Sequence, residues 1–272
     1  MTDDLLGLAL HAARSAGALV RERRTREVTV AATKSSDVDI VTEADRESEA
    51  LIRSILAEAR PDDGFLGEEG HDDAGTSGIR WVVDPIDGTV NFLYGIPQYA
   101  VSIAAERDGL VVAGVVLDVA AGTEYTAERR TAPNGGETLV SRRNGEPNSV
   151  RGPAPLSQRL IGTGFSYDEG YRAMQAEALA RLLPRIRDIR RMGSCALDLC
   201  HVAEGRLDGY FEEGVNQWDH AAGALVAEAA GARWELLPGA SGRDLVLCAP
   251  EHGFDELRAA VERAGFTAES RE

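Results

Sequence analysis

The chain has 272 residues, enough for one or two domains that each bury a core, and its 43% hydrophobic and 27% charged composition is that of a globular protein. With 29 Lys and Arg against 45 Asp and Glu the formal charge is −16, which argues against binding to nucleic acid or to an anionic membrane surface. An anionic substrate would therefore need positive charge from elsewhere, either a metal ion or a local Arg site.

The N-terminus, Met1-Thr2-Asp3-Asp4, is acidic and no long apolar run follows it, so neither a signal peptide nor a membrane span is expected. Leu5 to about Arg26 carries an apolar stripe at helical spacing. Val28 to Ala32 alternates like a strand, and Thr33 to Asp39 reads as a polar loop holding Lys34, the sole lysine. A second helix is predicted from Thr42 to Ala59, with Pro61 beyond its end. Pro61 to Arg80 is Gly- and Asp-rich, interrupted by the apolar pair Phe65-Leu66, and Trp81-Val82-Val83 is a brief buried strand. Tyr99–Ala105 and Leu110–Leu117 pair about Asp108-Gly109, Thr123–Ala127 forms a further strand, and Asn134-Gly135 is a turn.

Three prolines and two glycines between Asn144 and Pro155 mark a boundary, dividing the chain into halves 1–145 and 146–272. The second half should hold strands near Leu160–Thr163, Gly209–Glu212 and Leu245–Cys248. Its helices are expected near Tyr171–Leu183, Ser194–Gly205, Asp219–Ala230 and Phe254–Ala264. This order predicts layered sheets and helices rather than a regular βαβ winding. Cys195, Cys200 and Cys248 are too few and too irregularly spaced for a disulfide framework. They read as reduced thiols in a cytoplasmic protein.

The chemistry concentrates where apolar segments end. Asp84-Pro85-Ile86-Asp87-Gly88-Thr89 follows a strand directly, so two carboxylates three residues apart can converge on one point. Pro85 stiffens that turn, Gly88 admits a ligand close to the backbone, and the N–H groups of a following helix suit phosphate. Oxygen ligands of this kind favour Mg²⁺ over zinc. Gly67-Glu68-Glu69-Gly70 places a carboxylate at another strand end, and Asp45 and Asp219 stand at helix starts. Taken singly, each has a plainer role. Thr42 with Asp45 fits a capping pattern, which spacing alone favours; Asp219 can cap its helix, and Glu68-Glu69 can be a solvated pair. Glu212 can be a surface acid and Lys34 a loop lysine, while His201 and His220, without a His-x-x-x-His pattern, read as packed or surface residues rather than ligands.

Together these segments resemble the inositol monophosphatase family of metal-dependent, lithium-sensitive phosphatases. The resemblance rests on Trp81-Val82-Val83-Asp84-Pro85-Ile86-Asp87-Gly88-Thr89-Val90-Asn91-Phe92 and on Trp218-Asp219-His220-Ala221-Ala222-Gly223-Ala224, and it extends in order from about Lys34 to Gly231. It implies an α+β fold, a layered α-β-α-β-α sandwich, usually a homodimer. It implies two or three Mg²⁺ ions on Glu68, Asp84, the carbonyl of Ile86, Asp87 and Asp219. Gly88 and Thr89 match the phosphate cradle, and Asp45 with Thr89 the pair that orients the attacking water. Lys34 matches a motif lysine, while Gly193, Ser194, Cys195 and Glu212 match the segments that contact the polyol. Most metal ligands thus fall in the first half; Asp219 and the polyol contacts fall in the second.

The implied activity is hydrolysis of inositol 1-phosphate, a small phosphorylated polyol, without a phosphoenzyme. Histidinol phosphate, fructose bisphosphate and phosphoadenosine phosphate are alternatives within the family, as is a non-catalytic role in transcription or ribosome assembly. Asn91-Phe92-Leu93-Tyr94-Gly95-Ile96-Pro97 and Glu212 resemble the inositol phosphate branch most, while Cys195 and Ser166 depart from its pattern. Haloacid-dehalogenase chemistry needs two aspartates separated by one residue; Asp84 and Asp87 are separated by two. No Arg-His-Gly motif and no phosphate loop ending in Gly-Lys occurs.

Overall fold

The computed structural model describes residues 4–25, 30–33, 40–131 and 135–268. Val28, the segment from Lys34 to Asp39, and Asn134 lie outside the described residues. Helix α1 (Leu5–Arg24) starts at Asp4, whose carboxylate accepts the Gly7 N–H at 2.8 Å. An antiparallel pair, β1 (Val30–Thr33) and β2 (Ile40–Thr42), leads into α2 (Glu43–Ala59). Then follow β3 (Asp63–Gly67), β4 (Asp72–Gly75), β5 (Ile79–Asp87), the short α3 (Thr89–Tyr94), β6 (Ala100–Arg107) and β7 (Leu110–Asp118). Strands β8 (Thr123–Thr131), β9 (Glu137–Arg143) and β10 (Glu146–Pro147) complete an eight-stranded sheet ordered β10-β9-β8-β7-β6-β5-β3-β4. Its one parallel pairing is β3 with β5, and that pairing aligns two strand ends that carry acids.

The chain crosses to a second sheet between Pro147 and Leu160. There β11 (Leu160–Thr163), α4 (Glu169–Leu182), β12 (Asp188–Arg190), α5 (Cys195–Ala203) and β13 (Gly209–Glu213) precede α6 (Gln217–Ala229). Strands β14 (Ala232–Pro238) and β15 (Asp244–Pro250) and helix α7 (Phe254–Ala264) follow, and the sheet is ordered β12-β11-β13-β15-β14.

Side-chain alternation along the strands builds the layers. Trp81, Val83, Val101, Ile103, Val115 and Leu117 pack with α1 and α2, while Val82, Ala104 and Val116 face α5 and α6. The same two helices meet Tyr210, Val246 and Cys248 of the second sheet, whose other face packs Phe211, Leu245 and Leu247 against α4 and α7. Helix, sheet, helix, sheet, helix is the layered α+β sandwich expected. Small residues make the middle layer thin. A Cβ on Gly223 of α6 would lie 3.0 Å from the Ala196 carbonyl and the Leu199 Cβ, and one on Gly114 of β7 would lie 3.1 Å from Ala222.

The structure extends the sequence reading in several places. Strand β5 covers nine residues rather than three and runs through Pro85, which sits where the register with β6 shifts, so its missing N–H interrupts no regular ladder. Strands β2, β4, β9, β10, β12 and β14 go beyond the sequence expectation. The Asp- and Gly-containing β4 is an edge strand held by pairing with β3, not by its composition. Helix α6 starts two residues before Asp219, with Asn216 as its cap.

Candidate active site

Parallel pairing of β3 with β5 sets Leu66 beside Val82 and Gly67 beside Val83, and the Glu68 N–H continues the ladder to the Val83 carbonyl at 3.2 Å. Glu68 therefore emerges next to Asp84. The next turn tightens at Gly88, whose φ is 97° and whose Cβ would meet the Gln98 carbonyl at 2.8 Å. Helix α2 approaches from the side and presents Asp45, Ser48, Glu49 and Ile52 on one buried stripe. The Ser48 hydroxyl donates to the Pro85 carbonyl at 3.2 Å. Glu49 accepts the Glu69 N–H at 2.9 Å and stands 2.6 Å from His71 Nδ1, which pins the loop carrying Glu68.

Asp45 serves two purposes. Its Oδ2 accepts the Thr42 N–H at 2.8 Å, closing a capping box, and its Oδ1 accepts the Thr89 hydroxyl at 3.0 Å. Thr89 Oγ1 is equally close to the Ile86 carbonyl. Burial pushes Asp45 up to about 6 against the pull of these hydrogen bonds.

Asp87 is anchored from the second half of the chain: its Oδ2 accepts the Ser194 hydroxyl at 2.6 Å and the Ala196 N–H at 2.7 Å. Ser194 also caps α5. Its hydroxyl is thus committed to Asp87, and Ser194 is not among the residues lining the cavity. Asp219, third residue of α6, accepts the Asn216 N–H at 2.6 Å.

Ligand oxygens of Asp84, Asp87 and Asp219 all lie within 4.8 Å of one another, and so do those of Asp45, Glu68 and Glu69. Burial pushes Asp87 and Asp219 up to about 7. Asp84 stands well above the carboxylate range through burial and the charges of Glu68, Asp87 and Asp219. Two carboxylates roughly 4 Å apart repel by about 4 kcal/mol at an effective dielectric near 20. A hard divalent cation lets all three ionise together, and the all-oxygen donor set fits one.

These acids line a cavity of about 410 Å³. Ile86, Gly88, Thr89, Gly193, Cys195 and Glu212 also line it, as expected, whereas Asp45 reaches it through Thr89. Lys34 lies outside the described residues. Four features escaped the sequence reading: Glu49, the grouping of Glu69 with Asp45 and Glu68, and the guanidinium groups of Arg191 and Arg243 at the cavity wall. Glu49 was accessible as the residue four beyond Asp45 on the same helix face. Arg191, just before Met192-Gly193, brings an Arg side chain to the cavity, one of the two sources of positive charge that the acidic balance left open.

Residues 1–262 match the model of the inositol monophosphatase family. The chain belongs to that family. By that membership it is an enzyme, a phosphoric monoester hydrolase. It is 47% identical over 275 residues to an inositol-1-monophosphatase SuhB of Mycobacterium tuberculosis, covering 95% of this chain and 93% of that protein. A solved structure of Mycobacterium tuberculosis SuhB superimposes with a TM-score of 0.77 at 45% identity, covering 97% of this chain and 98% of the other. A protein of Pseudomonas aeruginosa named Nus factor SuhB is 39% identical over 237 residues, 84% of this chain and 83% of that one.

Proposed function

We propose that this phosphatase hydrolyses inositol 1-phosphate to inositol and phosphate with two or three Mg²⁺ ions held by Glu68, Asp84, the Ile86 carbonyl, Asp87 and Asp219. The observation that carries this reading is the convergence of Asp84, Asp87 and Asp219, three carboxyls that crowd one another in a cavity roomy enough for a small polyol phosphate. When bound, Mg²⁺ supplies Lewis-acid charge that neutralises the phosphate dianion and makes water a stronger nucleophile. Glu68, aided by Thr89 and Asp45, prepares that water. As the water proton passes to Thr89 Oγ1, Thr89 passes its own to Asp45 Oδ1, an acid poised near 6 by burial. No side chain needs to carry the phosphoryl group.

The backbone N–H groups of Gly88 and Thr89 cradle the phosphate. Gly193, Cys195 and Glu212 face the polyol, and Ser194 contributes through Asp87. Lys34 matches the family's motif lysine; as the sole lysine in the sequence it is a target for selective acylation, which should lower turnover. The enzyme works as a homodimer in the cytoplasm. Among the described residues no helix is long and apolar enough to cross a membrane.

The test is hydrolysis of inositol 1-phosphate beside histidinol phosphate, with and without Mg²⁺ and with added lithium. Inositol 1-phosphate should be preferred, Mg²⁺ required and lithium inhibitory. Full activity after exhaustive chelation ends this reading, and a preference for histidinol phosphate moves the substrate elsewhere in the family. Similarity to the protein named Nus factor SuhB supports a second reading, a transcription role through protein contacts. That role should survive substitutions that abolish hydrolysis.

A further inference from the structure

Glu212 is held from two sides by residues that do not line the cavity. Strands β11 and β13 run parallel with Gly162 beside Tyr210 and Thr163 beside Phe211, so Gly164 comes next to Glu212. The Glu212 carboxyl occupies the space a side chain at Gly164 would take. A Cβ there would lie 1.9 Å from its carboxyl carbon and 2.0 Å from each oxygen. Two residues before Glu212, and therefore on the same face of β13, stands Tyr210. Its hydroxyl donates to Glu212 Oε2 at 2.7 Å, and its ring is fully buried against α5 and α6. The carboxylate is thus seated on a bare backbone and tied by a phenol that cannot move without disturbing the core. An ionised carboxylate is acceptor-only, so a fixed one reads the hydroxyl groups of a leaving group by position.

We propose that Tyr210 and Gly164 are positioning residues that fix the Glu212 carboxylate as the hydroxyl-reading acceptor of the cavity, and that the preference for polyol phosphates depends on them. This rests on the reading of Glu212 as a polyol contact. Neither residue lines the cavity, so their loss should change recognition of the leaving group and leave the chemistry of the phosphate alone.

The experiment measures kcat and KM at saturating Mg²⁺ for inositol 1-phosphate and for p-nitrophenyl phosphate, whose leaving group carries no hydroxyl beside the reacting oxygen. Wild type, Tyr210→Phe, Gly164→Ala and Glu212→Gln are compared. Tyr210→Phe and Gly164→Ala should each raise KM for inositol 1-phosphate by about five- to tenfold, the scale of one hydrogen bond. The kcat for that substrate and both constants for p-nitrophenyl phosphate should stay within about twofold. Equal effects on the two substrates, or none on either, overturn the inference. Should Gly164→Ala fail to fold, the near-isosteric Tyr210→Phe decides alone. If Glu212→Gln is impaired with inositol 1-phosphate while Tyr210→Phe and Gly164→Ala are normal, only the positioning role falls. If Glu212→Gln is itself normal, the reading of Glu212 falls with it.

Discussion

At the start of α2, Asp45 accepts the Thr42 N–H at 2.8 Å; at the start of α6, Asp219 accepts the Asn216 N–H at 2.6 Å. Both are third residues of their helices, both close a capping box, and both spend one carboxylate oxygen on it. The second oxygen separates them. Asp45, although grouped with Glu68 and Glu69, turns it to a donor, the Thr89 hydroxyl, whereas Asp219 turns toward Asp84 and Asp87. Asp45 is pushed up to about 6, with the small charge effect of Glu69 last among its causes; Asp219 reaches about 7, with Asp87 next after burial. One local motif therefore yields an acid tied by a hydroxyl donor and an acid crowded by two buried carboxyls. Capping removes neither carboxyl from its acidic cluster.

The largest effect should come from Asp219→Asn. Asn keeps an oxygen for the Asn216 N–H but removes the charge proposed to hold metal, so turnover should fall by at least about 10²-fold. Relief of repulsion should leave the metal-free melting temperature equal to or above wild type, with a smaller rise on adding Mg²⁺. Normal turnover would return Asp219 to the role of a helix cap.

Asp45→Asn should cost less, about tenfold in kcat, because Thr89 loses a proton acceptor while the cluster of Asp84, Asp87 and Asp219 stays whole. Its Mg²⁺ stabilisation should match wild type. A loss of Mg²⁺ response as large as in Asp219→Asn would erase the distinction between the two acids.

A third measurement is melting temperature against pH without metal. Asp87 and Asp219 have folded-state values raised to about 7, above the unfolded carboxyl range near 4. Between those limits the folded protein binds more protons, so the stability these groups contribute is complete below pH 4 and is lost as pH rises through 7. Asp219→Asn should make that decline shallower, and saturating Mg²⁺ should flatten it. A slope unaltered by both would separate the cluster from the titration.

The smallest effects belong to the caps. Thr42→Ala and Asn216→Ala should each lower stability by about 1 kcal/mol in chemical denaturation. Turnover should change by no more than about threefold in Asn216→Ala. A collapse of activity there would mean that the position of Asp219, more than its charge, limits the reaction.

Some of this arrangement was legible along the chain because its cause is local. An apolar run ending in Asp84-Pro85-Ile86-Asp87 announces acids at a strand end, and Thr42 with Asp45 announces a cap through contacts three residues apart. Ser194 was the opposite case. Its hydroxyl faces Asp87, 107 residues earlier, and nothing near Gly193-Ser194-Cys195 reveals that the bond goes to an acid instead of the cavity. Glu49 stood in plain periodicity with Asp45, but its service to the Glu68 loop depends on where β3 ends.

The order of residues by itself determined the layered fold, through strand alternation and the small-residue helices between the sheets, and it determined which acids end strands and begin helices. Backbone geometry acts over three or four residues, so spacing suffices for that much. Only the tertiary structure decided what surrounds those acids. A carboxylate's charge is set by whatever lies within a few ångströms of it: for Asp45 a hydroxyl on α3, for Asp219 two acids at the end of β5, and for Glu212 a phenol beneath it and a backbone without a side chain.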